Sequence, residues 1–262
     1  MHLCHPTKIT VQFYLFNDEF PFPFSTKELE VKTVDVLEFR NLYWNYYIQL
    51  ENDFFSYSPY CEIDQCNDNA FSVKYLQLLL SVCGEIDSIC KTFCKALDDN
   101  FDPKAAGIDN YISILCEKYP TFAEEKVKIL NYKYHDVQPW KSIARGFKPN
   151  WWQDYNAIKH YRDQERNGKA NYKYANQKNA VEALCALYIL IEYWAAKIFL
   201  PSKKAIPNNQ SEVYNPIMGT FQSSRIHLVY WKFYFDLVGG RMGLATNMFY
   251  QYLEGGRSRE LL

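Results

Sequence analysis

The stretch SVKYLQLLLSVCGEIDSICKTFCKAL, residues 72–97, decides the fold class. Leu76, Leu79, Cys83, Ile86, Cys90, Phe93 and Leu97 recur at spacings of three and four, the repeat of one helix face. Ser72 stands where an N-cap is needed, because a short hydroxyl side chain can accept from the first free amides. Asp87 and Lys91 are four apart with the acid first, so they can pair on the surface. Glu85 falls at the edge of the apolar stripe, near Leu78 and Ile89, where a carboxylate needs a partner or water.

Working outward, Leu37, Leu42, Trp44, Tyr47, Ile48, Leu50 and Phe54 repeat in the same way. Further helices are predicted at 108–119, at 150–165 after Pro149 with Asn150 as cap, and at 177–200, ended by Pro201. Together with 37–55 and 72–97 they predict an all-α fold, one helical bundle over 37–200. Less regular segments flank it. Residues 1–36 contain a β-rich run, Ile9 to Phe16, that the prolines at 21 and 23 break, and a helix cap at Ser25 or Thr26. Residues 201–262 are expected to pack on the bundle as an extension, with Ile226–Leu237 reading as a strand or a buried helix. Lys126 to Trp140 is ambiguous.

Composition narrows the function classes. Hydrophobic residues make up 48% of the 262, which suits a globular chain, and the 22 Tyr and 18 Phe suit tight packing or a contact surface. With 29 basic and 30 acidic residues the net charge is −1, so any nucleic-acid partner requires a local basic patch. None of the eight cysteines has C-x-x-C spacing. Cys83, Cys90 and Cys94 read as small hydrophobes on a helix face, which points to reduced thiols and a reducing compartment, with a bridge between Cys61 and Cys66 disfavoured on the same ground. Met1–Thr10 lacks the apolar core of a signal peptide. Ala180–Leu200 has nearly membrane-spanning length but carries Glu182, Glu192 and Lys197. A cytoplasmic protein with no membrane partner is therefore expected.

One local patch is basic. Between 141 and 178, Lys141, Arg145, Lys148, Lys159, Arg162, Arg166, Lys169, Lys173 and Lys178 face only Asp154, Asp163 and Glu165. Within it, Asn156 and His160 lie one helical turn apart and Lys159 adjoins them. An imidazole can move a proton near neutral pH, and Lys or Arg can hold a phosphate and its developing charge. A 2′-hydroxyl attacking its own phosphodiester needs little more, and neither a metal nor a cofactor is expected. Trp and Tyr residues in the patch could stack bases.

The run Tyr155-Asn156-Ala157-Ile158-Lys159-His160 resembles the signature of the HEPN superfamily, in which an Arg, often followed at once by Asn, Asp or His, precedes a His by a short spacer. The helix at 72–97 and the very apolar helix after His160 are also similar to helices of that superfamily, and the resemblance spans roughly residues 37–200. It implies a bundle of four or more helices that often dimerises with the motif helices facing each other. Many members are metal-independent ribonucleases of toxin–antitoxin, abortive-infection and other anti-phage systems, whereas others are inactive and bind nucleotides or proteins. The chain departs from the signature in having Tyr155 at the Arg position, and a phenol supplies no fixed positive charge. Lys159 and Arg162 are the cations nearest to that role.

Two functions fit these residues. As a metal-independent endoribonuclease, the chain would use His160 as general base or acid, Asn156 to orient phosphate or ribose, and Lys159 with Arg162 to stabilise charge. As a non-catalytic module, it would bind a nucleotide, RNA or a partner protein. Tyr155, Trp152 and Arg162 are the expected contact residues, and Glu85 is expected to approach the group. The implied partners are RNA or a nucleotide, an antitoxin or other defence-system protein, and a second copy of the chain.

Overall fold

A computed structural model describes residues 36–199 and 223–229, and they are mostly helical. The chain enters through α1 (Val36–Phe39), one π-helical turn (Arg40–Trp44) and α2 (Asn45–Phe55), which run end to end. Next come α3 (Val73–Leu97), α4 (Ile108–Lys118), α5 (Asn150–His160) and α6 (Gln177–Phe199).

The pair α3 and α6 forms the centre. α3 buries Leu79, Cys83, Ile86, Cys90 and Phe93 of the predicted stripe, and Leu78, Val82, Ile89 and Cys94 widen it. α6 is buried on nearly all sides from Ala180 to Ala196, as a helix apolar all round must be. Tyr47, Leu50 and Phe54 of α2 close over this pair, with the Tyr47 and Tyr188 rings 5.5 Å apart. The wholly buried Gln177 at the start of α6 holds the loop before α3. Its amide nitrogen donates to the Glu62 carbonyl (2.9 Å) and the Tyr75 hydroxyl (3.2 Å), and its amide oxygen accepts from the Asp64 N–H (3.2 Å).

Ser72 caps α3 by accepting from the Tyr75 N–H at 3.1 Å. Replacing Ser72 with Ala should lower stability by about 1 kcal/mol, read from the urea midpoint, because one amide of the first turn loses its partner. An unchanged midpoint would show that water replaces the hydroxyl without cost.

The mostly helical character agrees with the all-α expectation, and two short antiparallel ribbons accompany the helices. β1 (Val127–Ile129) pairs with β4 (Ile226–Leu228), Val127 opposite Leu228 and Ile129 opposite Ile226. Val127, Ile129 and Ile226 point into the core while Lys128 faces out. Three residues with two apolar ones carry no local signal strong enough to name a strand, and the partner lies far along the chain. Ser223 fastens this return segment: its hydroxyl donates to the buried Glu51 carboxylate and accepts from the Ile226 N–H at 2.9 Å.

The second ribbon corrects the end of α5. The predicted helix over 150–165 stops at His160, because Tyr161 leaves helical geometry at φ −140°. β2 (Glu165–Arg166) and β3 (Lys169–Ala170) then form a hairpin across Asn167 and Gly168, both left-handed at φ 55° and 70°. Asn-Gly is the pair that such a two-residue turn favours. At the other end, Pro149 occupies the N-cap position expected for Asn150.

The expectations for Ile9–Phe16, for a cap at Ser25 or Thr26, and for the part of Ile226–Leu237 beyond 229 lie outside the described residues. Among the described residues, no helix is long and apolar enough to cross a membrane. The seven described cysteines, Cys61 and Cys66 included, are free thiols, and Cys83, Cys90, Cys94 and Cys185 are buried.

Candidate functional site

An aromatic ladder fixes α5. Trp140 and Trp151 meet edge to face with centroids 5.2 Å apart, and Trp151 donates its indole N–H to the Pro139 carbonyl at 2.9 Å. Trp151 contacts Trp152, and Trp152 lies 5.1 Å from Tyr155. Trp152 and Tyr155 are each 5% exposed. Their rings pack the helix against the bundle and cannot take a base between them, which corrects their assignment as stacking residues.

Asn156 and Lys159 line a depression of about 300 Å³ between α3, α4 and α5. Its other walls include Asp87, Asp109, Lys148, Trp152 and Tyr155. The Lys148 ammonium meets the Asp109 carboxylate at 2.8 Å across it, and the Lys159 ammonium lies 5.4 Å from the centre of the Tyr155 ring. Asp87 accepts from the Tyr111 hydroxyl (2.8 Å) and from Lys91 (2.5 Å), the predicted surface pair. Two lysines and two aspartates leave this lining without net charge, so it offers an anion no strong attraction.

Glu85 is not among the walls. Lys159 acts electrostatically on the buried Cys83 thiol, so α5 packs on the side of α3 that carries Cys83 and Asp87. Residue 85 is two positions from each, about 200° round the helix. Half-buried at its own edge, its carboxyl has a pKa raised by burial.

His160 is not among the walls of the depression either. It is the last residue of α5 and exposed, with its ring 6.1 Å from that of Tyr161. Because the helix ends there, Arg162 does not share the Tyr155 face. It sits in the following turn, also exposed. This turn is held from below: the Asn171 amide donates to the Tyr161 carbonyl (2.7 Å), and the Tyr172 N–H donates to the Arg162 carbonyl (3.3 Å). His160, Tyr161 and Arg162 therefore form one exposed strip on fixed backbone, continuing from Lys159 at the end of α5.

Behind that strip is a polar network that local sequence patterns do not reveal. Asp154 pairs with Arg166 through one oxygen and accepts from the Asn179 amide at 2.7 Å through the other. Arg166 lies 4.4 Å over the Tyr174 ring, and the Tyr174 hydroxyl donates to the Arg166 carbonyl at 2.9 Å. These contacts tie the hairpin to α5 and α6. Nearby, Glu182 of α6 is pushed up to about 7. Burial is the main cause, Lys178 opposes it, and Asp68 and Asp154 add to it. The Tyr134 hydroxyl donates to Asp68 in the same group. Among the described residues no three His, Cys, Asp or Glu side chains are grouped to hold a metal ion.

Comparison with protein-family models, with curated proteins and with solved structures finds no match.

Proposed function

We propose that this chain is a HEPN-like module that binds RNA through the exposed end of α5. The observation that carries the proposal is the strip His160, Tyr161 and Arg162, held rigidly by Asn171 and Tyr172 inside the most basic section of the chain. Phosphates dominate the affinity of such a surface, and Arg162, Lys169, Lys173 and Lys178 are the cations available to them. The depression beside Asn156 and Lys159 suits a neutral polar group such as a ribose better than a phosphate, because its charges cancel.

A second function, metal-independent RNA cleavage, is favoured by one feature. His160 is exposed, as a general base or acid needs, and not packed as a structural histidine would be. Binding takes precedence because Asn156 and Lys159, the groups expected to assist that histidine, line a depression whose walls do not include it.

A single assay addresses both. A labelled single-stranded RNA is mixed with the chain in EDTA, and bound and cleaved fractions are followed. Arg162→Ala should weaken binding severalfold and lower its salt dependence by about one phosphate contact. His160→Ala should leave the melting temperature unchanged, as for a surface substitution. Cleavage by the parent chain that His160→Ala abolishes would replace the binding function with the catalytic one. No binding and no cleavage would end both.

A further inference from the structure

Beside the strip stand two aromatic rings that the packing leaves in water. Phe71 is 47% exposed and Tyr172 41%, unlike the buried Trp152 and Tyr155. They meet edge to face with centroids 5.9 Å apart. Both are held on fixed backbone. Phe71 pairs with Asn176 as an isolated antiparallel bridge, the Ser72 N–H donates to the Ala175 carbonyl, and the Gln177 N–H donates to the Ala70 carbonyl at 2.9 Å. Tyr172 is anchored through its N–H to Arg162.

Their surroundings are cationic. The Lys173 ammonium lies 6.0 Å from the Phe71 centroid and 5.9 Å from that of Tyr172. Arg162, Lys169 and Lys173 stand against Asp163 and Glu165 in that part of the sequence, while Arg166 is paired with Asp154 and Lys178 acts on Glu182. Exposed, rigid rings in a section where cations outnumber acids suit a flexible polyanion whose units each carry a π-face. A duplex hides those faces, whereas a single strand presents them.

We propose that Phe71 and Tyr172 form a stacking platform for unpaired bases of a single-stranded RNA, with Lys173 and Arg162 holding its phosphates. The platform rests on the RNA-binding function proposed above and names the feature of RNA that is read: unstacked bases, independent of their sequence. The exposed Tyr161, on the adjoining turn, extends the same surface.

The test compares three labelled probes of equal length: a single-stranded RNA, an abasic strand with the same backbone, and an RNA duplex. Phe71→Ala and Tyr172→Ala should each weaken binding of the single strand about tenfold, the usual worth of one base–aromatic stack, and leave the abasic strand and the duplex unchanged. Tyr172→Phe should retain the parent affinity, because the ring is kept. Arg162→Ala should weaken all three probes alike. If the parent binds and Arg162→Ala weakens it while both ring variants bind normally, the platform is overturned and the RNA-binding function stands. If the parent binds none of the probes, both fall. If the ring variants bind normally but abolish self-association in sedimentation, the patch seats a second copy of the chain and the platform is again overturned.

Discussion

Glu192→Leu should make this protein more stable at pH 7, by about 1–3 kcal/mol, the cost of burying a polar group without a hydrogen-bond partner. Glu192 lies within α6 at 1% exposure, and neither of its carboxyl oxygens has a hydrogen-bond partner. Burial raises its pKa well above the ordinary value. In the folded chain the group therefore keeps its proton above the pH at which the unfolded chain gives it up. The sign follows directly. A raised carboxyl costs the fold nothing below the unfolded pKa, and an increasing amount as pH climbs from there towards the folded one. The gain from Leu should thus be smallest near pH 4 and grow towards pH 8. Glu192→Gln separates the two contributions, since it removes ionisation but leaves unpartnered polar atoms, and should recover only part of the gain. Urea denaturation at several pH values is the measurement. A Leu variant less stable than the parent at pH 7 would mean that the carboxyl contributes favourably to the fold.

The same helix illustrates what a sequence can and cannot disclose. α3 was legible because its stripe, its Ser72 cap and its Asp87–Lys91 pair all depend on residues within a few positions of one another. α6 was legible from its apolar run. β1 was not, because its three residues become a strand only through β4, brought from near residue 226. The hairpin after α5 had a local signal in Asn167-Gly168, but a helix extended to 165 took in the turn after His160 and the first residue of β2.

For the site, the spacing of Asn156 and His160 correctly put both on α5, but spacing says nothing about where a neighbouring helix ends its contact. The depression closes around Asn156 and Lys159, and His160, the next residue and the last of α5, is not among its walls. Tyr155 and Trp152 read as possible stacking rings by type alone, whereas Trp140 and Trp151 draw them into the core. Conversely, Phe71 and Tyr172 lie 101 positions apart in sequence and meet only because residues 68–72 run antiparallel to 175–178. Glu85 and Asp87 differ by two positions, and the rotation of α3 against α5 decides which of them reaches the depression.

Glu182→Gln should flatten the dependence of stability on pH between about 4.5 and 7. The side chain is raised from the ordinary 4.5 to about 7, first by burial and then by Asp68 and Asp154, while Lys178 pulls in the opposite direction. Tyr134 and Cys185 also face it, and each is itself raised in part by its charge. Below about pH 4.5 the group is protonated in both folded and unfolded chains and contributes no penalty. Between there and pH 7 the unfolded chain ionises while the folded one holds its proton. Above 7 both are ionised, and the full cost of about 3 kcal/mol, as expected for a shift of this size, is in place. The parent should therefore lose stability as pH rises through this window, and the Gln variant should lose less. At pH 4 the two should match, because Gln imitates the protonated acid. At pH 8 the variant should be the more stable. Denaturant titrations of both chains at pH 4, 6 and 8 supply the comparison, and the difference between them isolates Glu182 from Glu192, which titrates in the background of each. Parallel curves over the whole range would mean that Glu182 is solvated or paired in solution.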